Sequence, residues 1–156
     1  MKTIHKSIAI NAPVDRVFAY LNDPAHLPEV WPNMVEVSEV KIRPDSYGFS
    51  WVYKMAGIKF SGYAHTVALA TDKLAVVKNE TGIRSLFRWT YEDRGGRTNL
   101  DLQIEYALPV PVLGKLAETI VAKMNEHDAE ALLANVKARL EAELTSRSAP
   151  STAPGA

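Results

Sequence analysis

The chain of 156 residues carries eighteen Lys+Arg against eighteen Asp+Glu, and 47% of its residues are hydrophobic. This composition is typical of one globular domain with a core of its own. The balanced charge argues against a nucleic acid as partner. The absence of cysteine excludes disulfides, iron–sulfur clusters and thiolate zinc sites. Without an apolar run of bilayer length or a signal-peptide pattern, we expect no membrane span and a cytoplasmic location.

The first part of the chain predicts one strand and two short helices. Isoleucines alternate with polar residues over 2–10, which predicts a strand. Pro13 and the Asp23-Pro24 pair then stand where short helices begin.

The rest predicts a sheet followed by a helix. Residues 34–108 alternate between apolar and polar positions, with turn residues about every ten positions, which is typical of an antiparallel meander. Residues 113–144 are rich in Ala, Glu, Leu and Lys and predict one long helix. This order indicates an α+β domain over 1–144. The last twelve residues, TSRSAPSTAPGA, predict a flexible tail over 145–156.

Three hairpin turns predict which side chains face inward. Two-residue turns at Ala56-Gly57, Thr81-Gly82 and Gly95-Gly96 each bring apolar residues together on one face of the sheet. Small residues at 62, 64 and 68 share that face with large aromatics, so we expect a cavity of roughly 300–1,000 Å³. The alternative is an aromatic core without a cavity. The aromatic residues of this face are Phe49, Trp51, Tyr53, Phe60, Phe87, Trp89, Tyr91 and Tyr106.

A polar row is predicted at one end of the same face. The turns place Lys78 opposite Ser85 and Ser85 opposite Tyr106, and a turn at 71–73 adds Thr66. We expect this row to orient the oxygen-bearing group of a ligand, unless it lies at an open end where Lys78 reaches water. A β-bulge in the strand over 58–70 would change this register.

The long helix is expected to cover the cavity with Ile120, Met124 and His127, and its apolar face then rotates near 126–128. The predicted ligand-binding residues are therefore Trp51, Tyr53, Phe60, Lys78, Ser85, Trp89, Leu102, Ile104, Tyr106, Ile120, Met124 and His127.

The sequence resembles the START/Bet v 1-like superfamily, in its polyketide cyclase/dehydrase and lipid-transport branch. The resemblance extends over about 1–144 and rests on INAPVDRVFAYLNDPAHLPEVWPNM, KMAGIKFSGYA, FRWTYEDRGGRTNLDLQIEYALP and EALLANVKARLEAEL. It implies a helix-grip fold, in which a seven-stranded antiparallel sheet wraps around a C-terminal helix and encloses a hydrophobic cavity. The superfamily includes carriers, cyclases, hydrolases and binding domains, so the resemblance does not define the function.

Three hypotheses remain open at this stage. The first is binding or transport of a hydrophobic or amphipathic small molecule such as a lipid, isoprenoid or aromatic polyketide. The second is an enzyme of the cyclase, dehydratase or hydrolase type, with His127, Tyr106 or Lys78 moving protons. The third is a protein interaction module without a ligand. The four histidines lack metal-ligand spacing, so we expect no metal, no other cofactor and no assigned catalytic residue, and the oligomeric state stays open.

Overall fold

The computed structural model describes residues 1–109 and 118–148. Its elements follow the predicted α+β order, with a 3₁₀ turn between the two short helices. They are β1 (Lys2–Ile10), α1 (Val14–Leu21), the 3₁₀ turn (Pro24–His26), α2 (Leu27–Val30), β2 (Met34–Arg43), β3 (Ser46–Met55), β4 (Ile58–Ala70), β5 (Leu74–Asn79), β6 (Ser85–Asp93), β7 (Thr98–Tyr106) and α3 (Glu118–Ser148). The strands form one antiparallel sheet in the order β1-β7-β6-β5-β4-β3-β2. The predicted fold class is confirmed.

Local chemistry explains how α1 and the 3₁₀ turn begin. Pro13 stands immediately before α1 with an extended backbone conformation, and its fixed φ suits a helix start. Asp23 accepts a hydrogen bond from the Ala25 backbone N–H at 3.2 Å, and Pro24 is the first residue of the 3₁₀ turn. Both prolines lack the N–H that a helix start leaves without an intrahelical partner.

Two of the three predicted hairpins have the predicted register. Gly95 and Gly96 adopt positive φ of 67° and 88°, and Ser85 lies opposite Tyr106 on the paired strands. The β3–β4 turn also has positive φ, at Ala56-Gly57, and sets Trp51 opposite Gly62. These turns bring the aromatic residues of β3, β6 and β7 onto one inner face.

The register of β5 differs from the prediction by one residue. Asn79, and not Lys78, lies opposite Ser85, while Lys78 lies opposite Leu86. Because side chains alternate between faces, this shift turns Asn79 inward and Lys78 outward, where Lys78 forms an ion pair with Glu80 at 3.0 Å. The predicted inward position of Lys78 is therefore wrong.

A β-bulge lies in β4, in the strand where a register change was anticipated. Thr66 lies opposite Val77, but Ala68 lies opposite Val76, so Val67 is the extra residue and is 52% exposed. Beyond the bulge Ala68 faces outward and is exposed, which corrects its predicted inward position.

The inner face of α3 is one continuous stripe, and the rotation predicted near 126–128 is wrong. Buried residues recur along it at intervals of three and four, with Leu133 buried beside them, and the recurring residues are Val121, Asn125, Ala129, Leu132, Val136 and Leu140. Ile120 and Met124 lie on the exposed side, with 65% and 44% of their surface accessible. The helix continues to Ser148, four residues past its predicted end. The predicted start over 113–117 and the tail over 149–156 lie outside the described residues.

Side-chain bonds hold α3 along β1, at one edge of the sheet. Lys6 pairs with Glu130 at 2.9 Å, and Lys137 Nζ donates to the Ala9 carbonyl, also at 2.9 Å. These bonds place the inner face of α3 over the aromatic face of the sheet.

Candidate functional site

A cavity of about 100 Å³ lies between the inner face of the sheet, the segment from α1 to α2, and α3. It is smaller than the predicted 300–1,000 Å³. Its wall comes mainly from β3, β5, β6 and β7, and within the described residues no charged side chain lines it. Three side chains of the described wall stay partly exposed to solvent: Trp31, which follows α2, and Ser85 and Phe87 of β6. The wall is therefore least complete at these three residues.

Half of the predicted ligand-binding residues lie on this wall. They are Trp51, Tyr53, Ser85, Trp89, Ile104 and Tyr106. All six come from β3, β6 and β7, whose two hairpins have the predicted register. The inward alternation of these strands therefore placed them correctly.

The other six predicted residues do not line the cavity. Lys78 points outward because of the β5 register, and Ile120, Met124 and His127 lie on the exposed side of α3. His127 is 78% exposed and lies 3.7 Å from Glu130.

Phe60 and Leu102 have inward positions away from the cavity wall. Phe60 is half-buried near the β3–β4 turn, and Leu102 is fully buried in the core opposite Lys6 of β1.

Trp51 fills the space that small residues were expected to leave open. A methyl group placed on Gly62 would lie 2.6 Å from Cζ2 of the Trp51 indole and 2.5 Å from the Thr81 carbonyl oxygen. A methyl group placed on Gly82 would also meet the indole, at 2.9 Å from Cη2. The gap predicted at Gly62 therefore holds the Trp51 ring, which is one reason for the small cavity.

A directed chain of hydrogen bonds begins at this indole. Trp51 Nε1 donates to Asn79 Oδ1 at 2.7 Å, and Asn79 Nδ2 donates to Ser85 Oγ at 2.8 Å. Asn79 is only 8% exposed, so these bonds satisfy an amide inside the core. Asn79 thus takes the place in the polar row that was predicted for Lys78.

A second buried amide continues this polar end on α3. Asn125 Nδ2 donates to Tyr106 Oη at 3.1 Å and lies 3.8 Å from Met55 Sδ. Burial raises the pKa of Tyr106, an effect that the bond from Asn125 partly offsets. Thr66, the fourth member of the predicted row, bonds instead to the backbone of Tyr47 and lies off the cavity wall.

A third polar group ties α3 to the segment after α2. Tyr53 Oη donates to Asp128 Oδ2 at 2.8 Å, and Asn33 Nδ2 donates to the same oxygen. Burial and the Asp128 carboxylate both raise the pKa of Tyr53. Trp31 packs edge-on against Tyr53, with ring centroids 5.4 Å apart, and both rings line the cavity.

Asn22 joins two buried tyrosines at the other end of the sheet. Tyr47 Oη donates to Asn22 Oδ1 at 2.9 Å, and Asn22 Nδ2 donates to Tyr91 Oη at 3.1 Å. Burial raises the pKa of both tyrosines. The cavity is therefore an apolar space whose few polar groups are bonded to one another.

Sequence reasoning missed Asn79, Asn125, Asp128 and Trp31. The polar residues among them, Asn79, Asn125 and Asp128, resemble ordinary surface residues in a periodicity pattern. Two features of the sequence could have indicated these positions. The length of the connection between β5 and β6 bears on the register that turns Asn79 inward, and Asn125 lies four residues from each of the buried residues Val121 and Ala129.

Comparison with known proteins agrees with this architecture. The family model described as "Polyketide cyclase / dehydrase and lipid transport" matches residues 1–141. The chain belongs to this family, and its fold is the helix-grip fold of START-like proteins. No curated protein sequence matches the chain.

Solved structures with 16–21% sequence identity share the fold. TTHA0849 from Thermus thermophilus is 21% identical with a TM-score of 0.80, over 91% of this chain and 99% of that one. The Zhui aromatase/cyclase from Streptomyces sp. R1128 is 16% identical with a TM-score of 0.78, over 96% and 99%. A START superfamily protein from Mycobacterium smegmatis is 17% identical with a TM-score of 0.71, over 89% and 97%. Among the helices that the structure describes, none has the length and apolar character needed to cross a bilayer.

Proposed function

We propose that this protein binds or transports a hydrophobic or amphipathic small molecule, such as a lipid, an isoprenoid or an aromatic polyketide, in the cavity under α3. The observation that carries the proposal is the composition of the wall, which is aromatic and aliphatic with a few neutral polar groups. An apolar space with a few oriented polar groups is the usual form of a small-molecule site. The family description, which includes lipid transport, supports the same function.

The size of the cavity favours a compact ligand or one that opens the wall. A space on the order of 100–150 Å³ holds about one aromatic ring. A larger ligand requires side chains to move where the wall is least complete, beside Trp31 and Phe87, whose ring centroids lie 5.4 Å apart.

The test is to fill the cavity and look for loss of ligand. Ala64 is 1% exposed and lines the cavity, so Ala64→Leu places a larger side chain inside it. Ala68 lies on the same strand but faces solvent, which makes Ala68→Leu the matched control. We expect native mass spectrometry and organic-solvent extraction to detect a copurified hydrophobic compound in the parent and in the control. The Ala64→Leu variant should lose most of it, and equal amounts in all three proteins would contradict binding in this cavity.

An enzyme of the cyclase, dehydratase or hydrolase type is the second candidate. It is favoured by the bond from Tyr53, on the cavity wall, to the Asp128 carboxylate, because such a pair can hold or move a proton beside a bound molecule. His127 and Lys78 take no part in this candidate, since both side chains point away from the cavity. Turnover of a bound compound that is lost in Tyr53→Phe, with binding retained, would favour the enzyme. Unchanged turnover would exclude this pair as its proton-transfer group.

A further inference from the structure

We infer that the Ser85 and Tyr106 hydroxyls together donate hydrogen bonds to one uncharged carbonyl oxygen of the bound ligand. The inference rests on the proposed function and adds the chemical group that the cavity recognises. It follows from the direction of the hydrogen bonds that reach these hydroxyls, from their register on the sheet, and from the absence of charge on the described wall.

The direction of bonding at Ser85 is set by Trp51. An indole Nε1–H can only donate, so the atom of Asn79 that it meets at 2.7 Å is the amide oxygen. The Asn79 NH₂ group must then face Ser85, and it donates to Ser85 Oγ at 2.8 Å. Ser85 Oγ therefore acts as an acceptor toward Asn79, and its own hydrogen remains available to donate.

The same direction holds at Tyr106. Asn125 Nδ2 lies 3.1 Å from Tyr106 Oη and 3.8 Å from Met55 Sδ, and a thioether sulfur can only accept. The amide NH₂ thus faces both atoms, and Tyr106 Oη accepts from it. Burial raises the pKa of Tyr106, so its hydroxyl keeps the proton that it can donate.

The two hydroxyl-bearing side chains start from paired positions on one face of the sheet. Ser85 and Tyr106 are directly paired on β6 and β7, and side chains paired in this way start about 5 Å apart on the same face. Both line the cavity, and the part of the chain that the structure describes offers no acceptor for either hydroxyl hydrogen. A carbonyl oxygen has two lone pairs, so it is an acceptor that two donors lining one small cavity can share.

The charge of the wall favours a neutral acceptor. No acidic or basic side chain from the described residues lines the cavity. Lys2, which lies opposite Tyr106 on β1, is paired with Glu118 at 3.2 Å. A ligand carboxylate or ammonium would lose its hydration here without gaining an opposite charge, whereas a ketone oxygen loses far less.

The experiment uses three probes of one shape in ligand-observed NMR titrations of the full chain. Acetophenone carries the carbonyl, α-methylstyrene replaces its oxygen by CH₂, and benzoate adds a charge. We expect the double variant Ser85→Ala, Tyr106→Phe to weaken acetophenone about tenfold, as expected for two lost hydrogen bonds, and to leave α-methylstyrene within twofold. Benzoate should bind the parent at least tenfold more weakly than acetophenone does.

The matched control removes one serine hydroxyl and one tyrosine hydroxyl from the outer face of the sheet. Ser61 and Tyr63 are exposed neighbours on β4, and Ser61→Ala, Tyr63→Phe should leave all three affinities unchanged. If the inner double variant fails to fold, each single variant should weaken acetophenone about threefold.

Three outcomes of these titrations would contradict the inference. The double variant could bind acetophenone as tightly as the parent does and still bind α-methylstyrene. This result would overturn the inference and leave the proposed function standing. Benzoate affinity equal to that of acetophenone would overturn the preference for a neutral group. If no probe bound the parent protein, the inference would fall, and the proposed function would be decided separately by the extraction experiment with Ala64→Leu and Ala68→Leu.

Discussion

The Trp51 indole Nε1 donates to Asn79 Oδ1 at 2.7 Å, and this bond joins β3 to β5 across the strand between them. The bond is possible because Gly62 of β4 carries no side chain where the indole lies. The ring, the glycine and the amide form one unit: the glycine makes room, the ring fills it, and the amide receives the N–H. The polar end of the cavity depends on this unit, since Asn79 in turn donates to Ser85.

Removing the indole N–H should destabilise the protein more than the loss of ring size alone. We expect Trp51→Phe to lower the free energy of unfolding by about 1–3 kcal/mol more than Trp89→Phe, because it leaves the buried Asn79 oxygen without a donor. Trp89 is the matched control: it is equally buried on the same wall, and within the described residues its indole N–H makes no hydrogen bond. Urea denaturation of both variants measures the difference, and equal losses would show that the bond contributes nothing.

A side chain at Gly62 should displace Trp51. The added methyl group of Gly62→Ala would lie 2.5 Å from the Thr81 carbonyl oxygen and 2.6 Å from the indole, so one of them must move. We expect a loss of about 1–3 kcal/mol in the free energy of unfolding, as for other overpacked cores. Ser61→Ala, at the exposed neighbouring position, is the control and should change stability by less than about 0.5 kcal/mol. A fully stable Gly62→Ala protein would mean that the indole does not occupy this place.

Loss of the Asp128 carboxylate should loosen the contact between α3 and the segment after α2. The carboxylate accepts hydrogen bonds from Tyr53 at 2.8 Å and from Asn33, and Asp128→Ala leaves both donors without their acceptor. We expect a loss of about 1–3 kcal/mol, measured by thermal or urea unfolding. Glu126→Ala removes an exposed carboxylate from the same helix and should have little effect. Equal stability of the two variants would contradict a structural role for this bond.

Stability should fall steeply in alkaline solution. Burial raises the pKa of Tyr47, Tyr53, Tyr91 and Tyr106 above the ordinary value of 10.0. Above pH 10 the unfolded chain releases these protons while the folded chain retains them, so stability is complete below pH 10 and is lost as the pH rises further. Each tyrosine contributes a slope of up to about 1.4 kcal/mol per pH unit.

Urea denaturation between pH 8 and 11.5, with tyrosinate absorbance followed in parallel, tests this dependence. The variant Tyr47→Phe, Tyr91→Phe removes two of the tyrosines whose pKa is raised and should flatten the decline above pH 10. A decline of the same slope in parent and variant would show that these tyrosines do not cause it.

The sequence alone was sufficient for the fold and for six residues of the cavity wall. Turn residues at Gly95-Gly96 and Ala56-Gly57 determine how long each hairpin loop is, and a hairpin's loop length sets its register. The inward positions of Trp51, Trp89 and Tyr106 follow from that register and from strict alternation along the strands. These are local relations, so they can be read from neighbouring residues.

The tertiary structure decided the register of β5, the face of α3 and the volume of the cavity. In β5, Ala75, Val76 and Val77 are all buried, so its pattern is compatible with either register, and the choice rests on pairing with β4 and β6. On α3, apolar Ile120 is exposed while polar Asn125 is buried against Tyr106, a partner nineteen residues away. A buried amide needs a hydrogen-bond partner, and a hydrophobic pattern shows only the polarity of each residue. The pattern therefore could not show that Asn125 is buried. The volume depended in the same way on the Trp51 ring packing over Gly62, because packing joins residues that only the folded chain brings together.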